Sequence, residues 1–188
     1  MRQRSVYVSP WRIDITVRDG ITAPASQRRL SGAIAAALDA AGAPAPATVG
    51  LILSGDRELA ELNATHMGAA GPTDVLSFPL LPPTAYPDHP GGTVMPPRAA
   101  AAVTTAVDFV SPGARHHLGE IVVSVERAIA QASAGRGGQT GDVRWSARDE
   151  LLLLVTHGAL HLCGWDHAEP TEEAAMRALE LRLLAEAP

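Results

Sequence analysis

Three of the chain's seven histidines fall within one eleven-residue window, HGALHLCGWDH, as His157, His161 and His167. This spacing restricts what the chain can fold into. His157 and His161 are four residues apart, so on a helix they project from one face, one turn above the other. Gly164 then supplies a helix stop, because glycine enters the left-handed conformation without a Cβ penalty. Past that stop the chain can turn back and bring His167 to the same point. Three neutral imidazoles around a divalent ion leave the fourth position open, which separates a catalytic zinc site from a structural one closed by four protein ligands. The expected cofactor is one divalent metal ion per chain, held by these three histidines; zinc is the first choice, and three imidazoles also suit nickel, copper or iron.

The surrounding sequence bounds the fold. With 188 residues, 46% of them hydrophobic, the chain can bury one sizeable core. Its net charge is −5, against an extended nonspecific nucleic-acid surface but not against a local basic patch. Cys163 is the only cysteine, so no intramolecular disulfide forms, as fits a reducing compartment. The first twenty residues lack the apolar run of a signal peptide. No apolar stretch is long enough to span a bilayer; the run Leu151 to Val155 is typical. The expected location is the cytoplasm, with no membrane partner.

Periodicity places strands at 12–18, 48–53, 73–80 and 118–125, and helices at 26–41, 56–65, 126–134, 146–163 and 171–186. Ser146 reads as the N-cap of the histidine helix, with Asp149 completing a capping box. Strands mixed with helices indicate an α+β or α/β layer structure. We expect a single α+β domain over 1–188. A small central mixed sheet is packed by about five helices, with the metal site at the C-terminal end of one helix. Residues 81–117 are rich in proline and glycine and read as a long surface insertion, with a core-like pattern only at 99–110.

A helical histidine pair first suggests a zinc peptidase of the HExxH type, in which the glutamate is the general base. Here Gly158 holds that place. The site lacks the peptidase's proton acceptor and must serve another reaction or draw its base from elsewhere. Zinc alone lowers the pKa of bound water to about 7 and polarises phosphoryl oxygens, so hydrolysis is the natural reaction class. The expected catalytic group is the metal-bound water, with the general base unassigned. Asp166 abuts His167 and is placed to orient a ligand imidazole; as a turn residue it would be equally at home. Glu150 lies two turns before His157, too far to ligate, and suits the first-turn dipole. Cys163 lies about 200° around the helix from His161 and points away from the metal face.

These residues resemble a family. THGALHLCGWDH is similar to the HGxLHLxGYDH signature of the YbeY family of bacterial endoribonucleases and rRNA maturation factors, with Trp165 in the tyrosine place. Two further blocks agree in order. LNATHMGAAGPTDVLSFP, Leu62 to Pro79, resembles LNxxYRGxxxPTDVLSFP. LGEIVVSVERAIAQA, 118–132, resembles LGDIxIS and its following helix. The resemblance implies His157, His161 and His167 as metal ligands. It also implies cleavage of single-stranded RNA, tied to maturation of small-subunit ribosomal RNA and ribosome quality control. RNA is then the expected partner, together with small-subunit ribosomal proteins. Thr73, Asp74 and Ser77 match the PTDVLSF block and are expected to border the substrate cleft.

The departures are specific. The family's arginine is Met67 here, its tyrosine neighbour is His66, and the basic residue after the glycine is Ala69. Guanidinium pairs bidentately with phosphate, and methionine cannot. Candidates to replace it are Arg98, Arg115 and Arg136, with His66 as a phosphate contact when protonated. Three readings follow: a metal-dependent endoribonuclease; a catalytically weak, metal-stabilised ribosome-assembly or RNA-binding factor, favoured by Met67; and a zinc hydrolase acting on peptides or small molecules, disfavoured by Gly158. If RNA is cleaved, a 2′,3′-cyclic phosphate product would indicate attack by the 2′-hydroxyl.

Overall fold

The structure is a computed structural model that describes residues 1–90, 115–135 and 146–186. Its elements run β1 (Arg2–Val8), β2 (Trp11–Val17), α1 (Gln27–Ala40), β3 (Ala47–Ser54), α2 (Asp56–Met67), β4 (Val75–Pro79), β5 (His116–Ser124), α3 (Val125–Ala134), α4 (Ala147–Leu162) and α5 (Pro170–Glu186). A 3-10 turn covers Pro83–Ala85. The five strands form one mixed sheet in the order β1-β2-β3-β5-β4. The inner strands β2, β3 and β5 are parallel, and the edge strands β1 and β4 are antiparallel to their neighbours. This is the expected α+β domain.

The inner strands carry apolar runs because both of their faces are covered. Ile13 and Ile15 of β2, Val49 and Leu51 of β3, and Ile121 and Val123 of β5 face the main core with Leu30, Ile34 and Leu38 of α1. Alternate residues turn to the other face. There Ile52, Leu76, Phe78 and Val122 pack with Leu59 and Leu62 of α2. α4 lies at the centre of the helical layer, against α1, α3, α5, β4 and β5. Its apolar residues run all round the helix, as a helix enclosed on every side requires; Leu151 to Val155 and Ala159, Leu160 and Leu162 are all buried.

The ends of α4 form as the sequence predicts. The Ser146 hydroxyl accepts from the Asp149 backbone N–H at 3.2 Å, and Asp149 Oδ2 accepts from the Ser146 N–H at 3.4 Å, closing the capping box. At the other end Gly164 takes φ +82°, and the Gly164 and Trp165 N–H groups bond back to the His161 and Leu160 carbonyls. Glu150 sits in the first turn, as the dipole favours, and is buried.

Three expectations change. β1 was not anticipated: its half from Arg2 to Ser5 is polar and exposed, as befits a charge-guarded edge strand, and only Val6 and Val8 reach the core. β4 starts at Val75 rather than Thr73. The Asp74 carboxylate accepts its neighbour's N–H (Val75 N to Oδ1, 2.9 Å), a local bond that competes with the strand ladder. The described ends of the 81–117 segment, 81–90 and 115–117, are not simply surface. Tyr86 is buried in the core, Leu81 packs beside it, and His116 and His117 belong to β5. The expected pattern at 99–110 lies outside the described residues.

Gly158 holds the tightest approach between α4 and the sheet. A Cβ there would stand 2.6 Å from Ile121 Cγ2 and 3.1 Å from Val75 Cγ2. Elsewhere in a helix interior, replacing glycine with alanine gains about 1 kcal/mol. Here overpacking, typically about 1–3 kcal/mol, outweighs that gain. Gly158→Ala is expected to lower the unfolding free energy by about 1–2 kcal/mol net, read by urea denaturation; a variant more stable than the parent would refute this packing.

Candidate metal centre

His157 and His161 lie one turn apart on α4, and His167 returns from beyond the Gly164 stop. The three ring centroids are 4.4 to 5.4 Å apart. One ligand nitrogen from each ring lies within 4.8 Å of the other two. The expected trio is therefore brought together.

The tautomers follow from the partners. The Trp165 carbonyl sits 2.8 Å from His161 Nδ1; a carbonyl only accepts, so Nδ1 carries the proton and Nε2 keeps a lone pair. Glu180 Oε1 lies 2.6 Å from His157 Nδ1 and fixes that ring in the same sense. The two Nε2 atoms are then 2.9 Å apart, lone pair toward lone pair. Burial first, and then the neighbouring His157 and His167 rings, hold the His161 pKa down to about 4, so the ring is neutral at pH 7. Ring nitrogens turned toward one point are a donor set that a cation would complete, and three imidazoles suit a divalent first-row metal. The trio could hold a metal ion.

Glu180 was not among the expected site residues. It comes from α5, thirteen residues beyond His167, and its side chain is 12% exposed. The available signal was its phase: it follows the buried Met176 by four and precedes the buried Leu183 by three, an acid on a packed face. Asp166, expected to orient a ligand ring, does not. Its Oδ1 accepts from the His167 backbone N–H at 2.8 Å. Ring orientation falls instead to Glu180 and the Trp165 carbonyl, because a side chain adjacent to His167 reaches its backbone before its ring. Cys163 is buried, with its thiol pushed up to about 12 by burial, and stays out of the centre.

The three histidines open into a cleft of about 570 Å³. Thr73, Asp74 and Ser77 line it, as expected, and so does Met67, at the place of the family arginine. His66 does not line it; its ring packs edge-on against Phe78 at 5.1 Å. Asp74 is tied into the fold through Val75 and Gln131. The Ser77 hydroxyl donates to the Gly158 carbonyl at 2.9 Å. Pro83 approaches Gly164, and His89 stacks on Trp165 at 4.2 Å, so the segment after β4 closes one end. Arg115 is not a replacement for the missing arginine. It donates to the Pro10 carbonyl and lies over the Tyr7 ring, away from the cleft lining. Arg98 and Arg136 lie outside the described residues.

The family profile described as Endoribonuclease YbeY matches residues 14–187. This chain belongs to the YbeY family. An Endoribonuclease YbeY of Salinispora tropica is 42% identical over 79% of this chain and 80% of its own. That of Thermobifida fusca is 35% identical over 92% of each chain, and that of Symbiobacterium thermophilum 36% over 79% and 76%. A solution structure of a Thermotoga maritima protein, 23% identical, aligns over 92% of this chain and 88% of that one with a TM-score of 0.48. Within this YbeY chain no helix among the described residues is long and apolar enough to cross a membrane.

Carboxylates that hold ligand imidazoles typically contribute about 10–100-fold in metal affinity. Glu180→Ala is expected to weaken zinc binding by about that factor, read by competition with a chromophoric chelator. Asp166→Ala should weaken it less. The reverse order would refute the assignment of Glu180.

Proposed function

We propose that this chain is a zinc-dependent endoribonuclease that cleaves single-stranded RNA, with small-subunit ribosomal RNA as its substrate and the cytoplasm as its place of action. The observation that carries the reading is the histidine trio, with facing Nε2 lone pairs, at the base of a cleft in a chain of the YbeY family. His157, His161 and His167 would hold the metal. When bound, a divalent cation there supplies Lewis-acid stabilisation of charge on a phosphodiester and an acidified water.

The chain's own residues contribute position and exclusion. Glu180 and the Trp165 carbonyl fix two imidazoles before any metal arrives, so little ordering remains at binding. Leu154, Val75, Pro79 and Pro83 give the cleft apolar walls that keep water away from the reacting phosphate. Thr73, Asp74 and Ser77 form the wall along β4 where substrate lies, and Asp166 steadies the loop that presents His167. Gly158 speaks against a peptidase, since no side chain at the HExxH glutamate position fits between α4 and the sheet.

A second reading has one specific observation behind it. Among the described residues no arginine lines the cleft, and Met67 stands where the family arginine would. On that reading the protein is an RNA-binding ribosome-assembly factor, in contact with small-subunit proteins, whose metal stabilises the fold. A single-turnover assay on single-stranded ribosomal RNA separates the two. Zinc-loaded wild type is expected to cleave; His161→Ala and metal-stripped protein should be slower by roughly a hundredfold or more. Intact RNA after incubation with protein carrying one zinc per chain would reject the nuclease in favour of the assembly factor.

A further inference from the structure

The strand beside the metal centre is also the edge of the sheet. β4 ends the strand order, and among the described strands only β5 pairs with it. The Ser124 N–H donates to the Asp74 carbonyl, and the Leu80 N–H to the Leu118 carbonyl. Both are directly opposed pairs in the β4–β5 register, and in an antiparallel ladder such bonded pairs alternate with unbonded ones. Asp74, Leu76, Phe78 and Leu80 therefore turn their backbone groups to β5. Val75, Ser77 and Pro79 turn theirs to the outer edge, and all three line the cleft with His157 and His161.

That edge is blunted on both sides of Ser77. The Val75 N–H is taken by Asp74 Oδ1, and the Val75 carbonyl accepts from the Thr73 hydroxyl at 3.5 Å. Pro79 has no N–H to give. The Ser77 side chain is occupied with the Gly158 carbonyl and leaves its own backbone uncovered. Among the described residues, what remains is the N–H and C=O of Ser77, side by side in the cleft, with the Pro79 carbonyl as a lone acceptor further along.

A peptide adding to a sheet edge needs such pairs at every second residue, and here the run is interrupted after one. One donor beside one acceptor instead matches the Watson–Crick edge of a single nucleobase, such as O4 and N3–H of uracil. We propose that the outer edge of β4 at Ser77 is a nucleobase-binding site, which holds the Watson–Crick edge of one unpaired RNA base against the Ser77 backbone beside the metal centre. This rests on the endoribonuclease reading and adds its specificity. A base in a duplex has that edge occupied, so selection for single strands resides in the main chain. Met67, 55% exposed, gives the same cleft an uncharged, adaptable surface for the base.

The test measures binding of fluorescein-labelled single-stranded pentauridine to the zinc-loaded full chain. It is compared with the same RNA built from N3-methyluridine, which lacks the N3–H, and from C5-methyluridine, which keeps it. N3-methylation is expected to weaken binding about tenfold or more, the scale of an unpaired polar group in a desolvated site, and C5-methylation to have little effect. Ser77→Pro removes the N–H without touching the β5 ladder and should abolish the discrimination; Ser77→Ala keeps the backbone pair and should retain it. Melting curves and zinc content report whether each variant is folded, and the wild-type comparison stands without either. RNA that binds equally well in all forms overturns this site and leaves the endoribonuclease reading intact. RNA that binds in no form overturns both, as does preferential capture of an extended peptide.

Discussion

Everything at the cleft depends on the burial of α4. A helix enclosed by three others and by two strands cannot rotate or slide without breaking the core, so its histidines are fixed before any metal arrives. Gly158 allows the helix to touch the sheet, and Gly164 ends it one turn past His161. Together they set two imidazole lone pairs facing at 2.9 Å. This arrangement is maintained because Glu180 and the Trp165 carbonyl hold the opposite ring nitrogens, and because the core resists the shift that would separate the rings.

What was legible in the sequence was local. The i, i+4 histidine pair, the glycine stop and the Ser146–Asp149 capping box each lie within one or two helical turns, where spacing dictates geometry. The inner strands were legible because full burial writes continuous apolar runs. Long-range contacts were not. Glu180 reaches His157 only because α5 packs across α4, and no spacing rule links positions 23 residues apart. Tyr86 sits in a proline-rich stretch that composition marks as loop, yet it fills the core below the cleft. β1 was hidden because an exposed edge strand needs few apolar residues. For Asp166 the sequence left two roles open, ring orientation and a turn, and the nearer backbone N–H of His167 took the carboxylate.

The loss of the family arginine alters how a substrate would be held. Without a guanidinium among the described cleft residues, phosphate recognition would fall to a bound metal, and the protein wall beside it is partly apolar and carries Asp74 and Asp166. A net charge of −5 adds no general attraction for a polyanion. Recognition by a half-buried, directional backbone pair at Ser77 would suit such a site, because hydrogen bonds in a cleft partly sheltered from water discriminate without relying on long-range charge. The Gly158 contact leaves no room for the glutamate of an HExxH site, so one steric fact both seats the helix and speaks against that peptidase type.

The central claim is that three imidazoles and no other protein group hold one divalent ion. X-ray absorption at the zinc edge of the loaded protein tests it most directly. Three imidazole nitrogens are expected at about 2.0–2.1 Å, with the remaining ligand a light oxygen atom. A sulfur neighbour at about 2.3 Å, which would bring Cys163 out of the core, or fewer than three imidazoles, would contradict it.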